Sequence, residues 1–187
     1  MTRRPTAVAL VHHPIRDRRG DTVTASVTNL DLHDIARTAR TYGVDRFYLV
    51  TPVAEQRVLV ERILAHWRTG HGASYNPHRG EALDLVEPVS TLDEALALWQ
   101  QRTGDDPLPV LTGAARTDGI TFARCRALGR QHPLLLVFGT GWGLAEEVFE
   151  RGWTVLEPVS GAGDFNHLPV RAAAAIILDR LFAGEPR

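Results

Sequence analysis

The chain has 187 residues, with 21 basic and 22 acidic side chains and a formal net charge of −1. This length predicts one domain spanning residues 1–187, with enough chain to bury a hydrophobic core. The near-neutral charge excludes nucleic-acid binding that is driven by bulk positive charge alone.

The single cysteine, Cys125, excludes an intrachain disulfide and a cysteine-based zinc site. The histidines show no metal-ligand spacing beside a carboxylate, so no metal site is predicted. The apolar run at 7–11 is too short for a signal-peptide core, and no stretch approaches the length of a membrane span. We therefore expect a cytoplasmic protein that does not contact membranes.

Short apolar runs alternate with segments of helical periodicity along the whole chain. Residues 14–24 are expected to form a charged loop or loose hairpin, and residues 69–80 an irregular segment. Strands are predicted over 6–12, 46–50, 83–89, 108–112, 134–138 and 153–156. Helices are predicted over 30–42, 53–68, 92–101 and 122–128, and a long helix follows residues 165–170. This alternation predicts an α/β fold with a mainly parallel sheet and helices on both faces.

Two loops rich in small residues follow the last two predicted strands, at 139–144 and 157–164. Glycine lets the main chain approach a flat ligand closely, so these loops are candidates for a binding site. The first is not a dinucleotide fingerprint, because its third glycine comes one residue early and Leu144 takes that place. The chain also lacks a phosphate-binding Gly-Lys-Ser/Thr and a Gly-x-Ser-x-Gly nucleophile motif. We therefore expect Ser160 to be a turn residue and Cys125 to be a small structural residue, and neither to be a nucleophile.

Several blocks of the sequence resemble the SPOUT-class (α/β-knot) RNA methyltransferases, in the order found in that class. They are the helix block 31–39, the block 42–52 with its Tyr-Gly-Val and the strand that follows, the loop Phe-Gly-Thr-Gly-Trp-Gly-Leu at 138–144, the loop Leu-Glu-Pro-Val at 156–159, and the start of the last helix at 165–178. The sequences of these blocks most resemble a small bacterial subfamily described as SAM-dependent RNA methyltransferase. The resemblance implies a C-terminal trefoil knot, the cofactor S-adenosyl-L-methionine (SAM), a tRNA or rRNA substrate, and a homodimer with its active site near the subunit interface.

The resemblance also implies site residues. Catalytic roles fall to Arg37, Asn166 and His167. Without the resemblance, Arg37 is expected to be an exposed helix arginine paired with Asp34 or Asp45. Cofactor contacts fall to Thr112, Gly113, Phe138, Gly139, Thr140, Gly141, Gly143, Leu144, Leu156, Glu157, Pro158, Val159, Phe165, Asn166, His167 and Leu168. RNA contacts would come from local arginines: Arg16, Arg18, Arg19, Arg37, Arg40 and Arg116.

The sequence departs from the class at positions that bear on the methyl acceptor. Asp31 replaces an asparagine, His33 replaces a glycine, and the glycine loop lacks an acidic residue and is one residue shorter. The acceptor is therefore either a ribose 2′-OH or a base nitrogen, with Asp31, Asp164 or His167 as the candidate base. Two alternatives stay open: a non-catalytic SAM-binding or RNA-binding partner module, and a small-molecule methyltransferase on the same scaffold.

Overall fold

A computed structural model describes residues 3–184, in which six parallel strands form the central sheet. The strands of this sheet are β1 (Thr6–Val11), β4 (Arg46–Val50), β5 (Val86–Val89), β6 (Leu108–Leu111), β7 (Leu134–Gly139) and β8 (Thr154–Val155). A separate hairpin consists of β2 (Ile15–Arg16) and β3 (Thr22–Val23), within the predicted loop or hairpin. The sheet order is β5-β4-β1-β7-β6-β8, which confirms the predicted mainly parallel sheet.

Helices connect the strands and cover both faces of the sheet. They are α1 (Asn29–Thr41), α2 (Ala54–Arg68), α3 (His71–Tyr75), α4 (Pro77–Leu83), α5 (Leu92–Thr103), α6 (Phe122–Gly129), α7 (Glu146–Phe149) and α8 (Val170–Phe182). Within residues 3–184, none of these helices is both long and apolar enough to cross a membrane.

The expected irregular segment at 69–80 is instead mostly helical. Asn76 caps α4, because its side-chain oxygen accepts a hydrogen bond from the Arg79 N–H at 3.2 Å, and Pro77 follows at the start of the helix. The same helix continues to Leu83, so the next strand begins at Val86 rather than at residue 83. The cap and the proline were visible in the sequence, but the glycines and histidines around them obscured the helix.

Burial on both faces of β1 explains why its sequence is apolar at every position. Val8 and Leu10 pack in the core cluster that includes residues of α1 and α8. Ala7, Ala9 and Val11 point to the opposite face, where α5 contributes to a second cluster. Successive strand residues face opposite sides of a sheet, so a central parallel strand with helices on both sides must be apolar throughout.

Local signals set the ends of α1, the helix that carries Asp31 and Arg37. The Thr28 hydroxyl accepts a hydrogen bond from the Asp31 N–H at 3.2 Å and donates one to the Asp31 carboxylate at 2.7 Å. The first bond satisfies an N–H group that the helix leaves free. Gly43 follows the helix with φ of 68°, a conformation that glycine adopts without strain.

The strand order places the carboxyl ends of several strands beside one another. The chain builds outward from β1 to β4 and β5, then crosses to β6 on the other side and returns to insert β7 next to β1. The order therefore reverses between β1 and β7. Open α/β sheets bind ligands at the carboxyl ends of strands near such a reversal.

Candidate active site

A cavity of about 670 Å³ lies at the carboxyl ends of β6, β7 and β8. This volume is in the range of small-molecule and cofactor sites. Of the sequence-predicted cofactor residues, all but two line it: Thr112, Gly113, Phe138, Gly139, Thr140, Gly141, Gly143, Leu144, Glu157, Pro158, Val159, Asn166, His167 and Leu168. The two that do not are Leu156, which is fully buried in the core, and Phe165, which is 84% exposed.

The glycine loop after β7 is fixed against the end of β1 and the hairpin. Thr140 donates to the Val11 carbonyl from its N–H at 3.1 Å and from its hydroxyl at 3.0 Å. Arg16 accepts from the Trp142 N–H and donates to the Gly143 carbonyl. The loop backbone therefore has a defined position along one wall of the cavity.

Two glycines of this loop occupy positions that a side chain would disturb. A Cβ on Gly139 would lie 2.5 Å from the Leu144 nitrogen, so the backbone would have to move. Gly141 has φ of 58°, and a Cβ there would lie 2.8 Å from a methyl carbon of Ile15. The glycines are thus required by the close approach of the loop to itself and by its left-handed turn.

The opposite wall comes from the loop after β8 and from α8. Val170, Ala173 and Ile177 line the cavity from one side of the helix, at spacings of three and four residues. This apolar spacing was visible in the sequence but was not included among the predicted site residues. Within residues 3–184, the N–H and C=O of Val159 have no hydrogen-bond partner, so they are free to bind a ligand.

Asp31 lies at the cavity with only 9% of its surface exposed. Besides the Thr28 hydroxyl, its carboxylate accepts a hydrogen bond from the Arg171 guanidinium at 3.2 Å. Arg171 also lies 3.6 Å from the Asp34 carboxylate. These contacts hold the Asp31 side chain in one orientation, and each of its oxygens retains a further lone pair for a ligand.

Asn166 and His167 lie at the cavity mouth. The Asn166 side-chain amide donates to the Ala114 carbonyl at 3.2 Å. The His167 ring contacts the Trp142 ring edge-on at 5.8 Å and stacks on the Phe165 ring at 6.2 Å between centroids. Phe165 therefore belongs to an aromatic group at the mouth rather than to the cavity wall.

Arg37 is not at this cavity within a single chain. Its side chain is exposed on α1 and lines a different groove. The alternative of an ion pair with Asp34 or Asp45 is also not found, because Asp34 lies beside Arg171 and Asp45 accepts the Thr6 N–H. Arg37 makes no ion pair within the described part of the chain.

Two buried titratable groups lie outside the cavity. His12 follows β1 and is fully buried, and burial lowers its pKa although the nearby Asp31 carboxylate opposes this shift. The backbone of Leu10 and Val50 is close to the ring, but neither ring nitrogen has a partner in hydrogen-bond geometry. Burial raises the pKa of the Cys125 thiol to about 11, which fits the expected structural role of this residue. Over residues 3–184, no group of three or more potential metal ligands is present.

Comparison with known families identifies the chain. A family model described as SAM-dependent RNA methyltransferase matches residues 5–183. The chain belongs to the SAM-dependent RNA methyltransferase family. This confirms the predicted membership of the SPOUT class of RNA methyltransferases, and it confirms SAM as the cofactor of the family.

Relatives in several bacteria are similar over nearly the whole chain. A protein of Oleidesulfovibrio alaskensis named tRNA (guanine-N(1)-)-methyltransferase is 45% identical over 173 residues, which are 92% of this chain and 41% of that protein. The chain thus spans about two fifths of the length of this relative. An uncharacterized protein of Aquifex aeolicus is 41% identical over 179 residues, covering 94% of this chain and 87% of its own length.

Solved structures share the fold of this family member at low sequence identity. A putative methylase family protein from Neisseria gonorrhoeae has a TM-score of 0.61 at 21% identity, covering 97% of this chain and 83% of its own. The TrmH/SpoU tRNA modifying enzyme of A. aeolicus has a TM-score of 0.57 at 16% identity, covering 97% and 74%. A structure from work on the 2-OH methylation of C/U34 on tRNA has a TM-score of 0.59 at 16% identity, covering 96% of this chain and 95% of its own.

The residues at the cavity fit the cofactor of the family. SAM combines a flat adenine, a cationic sulfonium and an amino-acid end. The cavity offers apolar walls such as Phe138 and Ile177 for the adenine, and a glycine loop whose backbone a Cβ would displace. The Asp31 carboxylate lies at the same cavity and suits a positively charged ligand.

Proposed function

We propose that this chain is a methyltransferase that binds SAM in the cavity at the ends of β6, β7 and β8 and methylates a nucleotide of tRNA or rRNA. The observation that carries the proposal is the coincidence of one cavity with 14 of the 16 cofactor positions predicted from the sequence, since all except Leu156 and Phe165 line it. The catalytic and cofactor roles of the individual residues are part of this proposal.

Orientation is the main contribution expected from the protein. When bound, the cofactor supplies an electrophilic methyl group, and transfer then requires an acceptor aligned with it. The glycine loop and the Val159 backbone fix the ligand on one side, while the mouth residues Asn166 and His167 position the acceptor on the other. The aromatic edge of Trp142 beside His167 limits the directions from which an RNA nucleotide can enter.

The proton of the acceptor goes to a group at the mouth. The His167 ring lies at the mouth against the Trp142 and Phe165 rings, and imidazole is the side chain that enzymes use most often for proton transfer. Asp31 is more constrained, because Thr28 and Arg171 each already donate a hydrogen bond to one of its oxygens. We assign the role of general base to His167. Asp31 and Arg171 instead hold the mouth of the cavity in place.

The position of Arg37 supports a homodimer. Arg37 is exposed and lies outside the cavity of its own chain, so it can act there only from a second copy. Exposed apolar side chains at the mouth, Phe165 at 84%, Trp142 at 56% and Leu168 at 40%, are suited to such contact. The trefoil knot and the cytoplasmic location are further parts of the proposal, supported by the family resemblance of 165–178 and by the RNA substrate.

The relatives leave both acceptors open for this chain. The name of the O. alaskensis protein points to the N1 atom of a tRNA guanine, but the present chain matches only 41% of that protein. The name alone therefore does not assign that activity to the matched part, and the non-catalytic SAM-binding module stays the second candidate. The 2-OH methylation described for a structural neighbour points to ribose.

The test is transfer of a labelled methyl group from SAM to bulk tRNA and rRNA, followed by mass spectrometry of the digested nucleosides. A methylated ribose or base that is lost with His167→Ala supports the proposal and names the acceptor. Saturable SAM binding without transfer to any RNA would instead identify a non-catalytic module. Turnover that needs no nucleic acid would identify a small-molecule methyltransferase.

A further inference from the structure

A second groove, of about 600 Å³, is formed by α1, α2 and the start of α4. Its lining combines positive charge and aromatic rings, from the arginines Arg37, Arg62 and Arg79 and from the rings of His33, His66 and Trp67. The predicted RNA-contact arginines included only Arg37 from this set. The other two arginines come from α2 and α4, outside the family motif blocks.

The groove has an excess of positive charge. Asp34 is the carboxylate among its lining residues, and it lies 3.6 Å from the Arg171 guanidinium outside the groove. Glu81, on the same helix as Arg79, is directed to Arg40 at 3.9 Å and to His78 at 3.8 Å. The three groove arginines therefore face a single, already engaged carboxylate. Consistent with this, burial and the nearby Arg79 and Arg37 lower the pKa of His33, with Asp34 opposing.

The rings of the groove are arranged around Trp67. The Arg79 guanidinium lies 4.7 Å from the Trp67 ring centroid, and the His33 and His66 rings meet that ring edge-on at 5.6 and 5.2 Å. Two buried polar atoms, Arg79 Nε and His33 Nδ1, have no hydrogen-bond partner within the described residues.

We propose that this groove binds a nucleotide of the substrate RNA other than the one that is methylated. Its phosphate lies against Arg62 and Arg79, and its base stacks on the exposed His66 ring beside Trp67. Planar guanidinium groups bind phosphate oxygens in pairs, and bases stack on aromatic and guanidinium planes. The groove also explains how a chain with a net charge of −1 holds a polyanion, because a local set of arginines replaces bulk charge. The inference rests on the proposed RNA methyltransferase function.

The experiment measures the binding of two fluorescein-labelled probes, bulk tRNA and a 16-nucleotide mixed-sequence oligoribonucleotide, by fluorescence anisotropy with S-adenosylhomocysteine present. Wild type is compared with Arg62→Gln, Arg79→Gln and Arg79→Lys over 50 to 200 mM salt. The matched control is Arg124→Gln, which removes an exposed charge on α6, outside the groove. Thermal unfolding and S-adenosylhomocysteine affinity of each variant report on folding independently of RNA.

We expect each glutamine variant to weaken RNA binding by about three- to tenfold at 50 mM salt. Each should also reduce the slope of log affinity against log salt by about 0.7, the value for one lost phosphate contact on a single strand. Arg79→Lys should keep the slope, and Arg124→Gln should change affinity less than twofold.

Unchanged RNA affinity in folded Arg62→Gln and Arg79→Gln, with wild type binding RNA, would overturn the groove proposal and leave the proposed function standing. A changed oligomeric state with unchanged RNA affinity would overturn it in favour of a protein interface. Failure of wild type to bind either RNA would contradict the groove and the RNA methyltransferase function together.

Discussion

Replacing Gly139 with alanine tests whether the glycine loop forms the cofactor site. The added Cβ would lie 2.5 Å from the Leu144 nitrogen and 2.8 Å from the Gly143 carbonyl carbon. Ordinary contact begins at 3.4 Å, so the loop must move by about 1 Å. Binding sites tolerate displacements of only about 0.5 Å. We therefore expect SAM affinity to fall at least tenfold, or about 1.4 kcal/mol.

The assay is calorimetric titration with S-adenosylhomocysteine, with Gly152→Ala as the control. Gly152 has φ of 69° and open space around its Cβ position, so alanine there costs about 1–2 kcal/mol of stability without touching the cavity. The control should lose stability and keep its affinity. A folded Gly139→Ala protein that binds within twofold of wild type would refute the role assigned to the loop.

Three further predictions concern residues outside the glycine loop. Arg37→Ala should lower methyl transfer at least about 100-fold and leave S-adenosylhomocysteine affinity within about twofold, since Arg37 lies outside the cavity of its own chain. Labelled methyl transfer and calorimetry measure the two quantities. Loss of both together would contradict the separation of catalysis from cofactor binding. Thr28→Ala should cost about 1 kcal/mol in urea unfolding, because it removes the cap of α1 and a partner of Asp31, and an unchanged midpoint would show that the cap does not contribute. The pKa of His12 is lowered from 6.5 by burial, so the unfolded chain binds more protons and stability falls as the pH drops below about 6.5. His12→Gln should lose less stability than wild type between pH 7.5 and 5.5 in urea titrations, and an equal loss would assign the acid sensitivity to other groups.

The sheet was predictable because its signals are local. An apolar run such as 134–138, buried on both faces, can be recognised without knowing its neighbours. The strand order was not predictable from periodicity, because it depends on long-range crossovers. The helices at 71–75 and 77–83 were missed for a different reason: short helices depend on caps such as Asn76 more than on an apolar pattern.

The candidate site was predictable where family motifs cover it and incomplete elsewhere. The motifs gave the loops at 138–144 and 157–159, but not the α8 wall or the aromatic contact of Trp142 with His167. Only the α1 side of the groove around Trp67 lies in a family motif, the block 31–39, and the α2 and α4 sides carry none. The groove arises because α2 and α4 pack together, and a sequence pattern does not show which side chains of two helices meet.

Titration of S-adenosylmethionine and S-adenosylhomocysteine into wild type, Ala173→Leu and Ala175→Leu tests the cofactor site most directly. Ala173 lines the cavity from α8, and leucine is a strong helix former, so the change fills the cavity without disturbing the helix. Ala175 lies two residues further along and does not line the cavity. We predict one saturable site per chain in wild type and Ala175→Leu, and loss of binding in Ala173→Leu. Equal binding by all three proteins would contradict the placement of the cofactor at the ends of β6, β7 and β8.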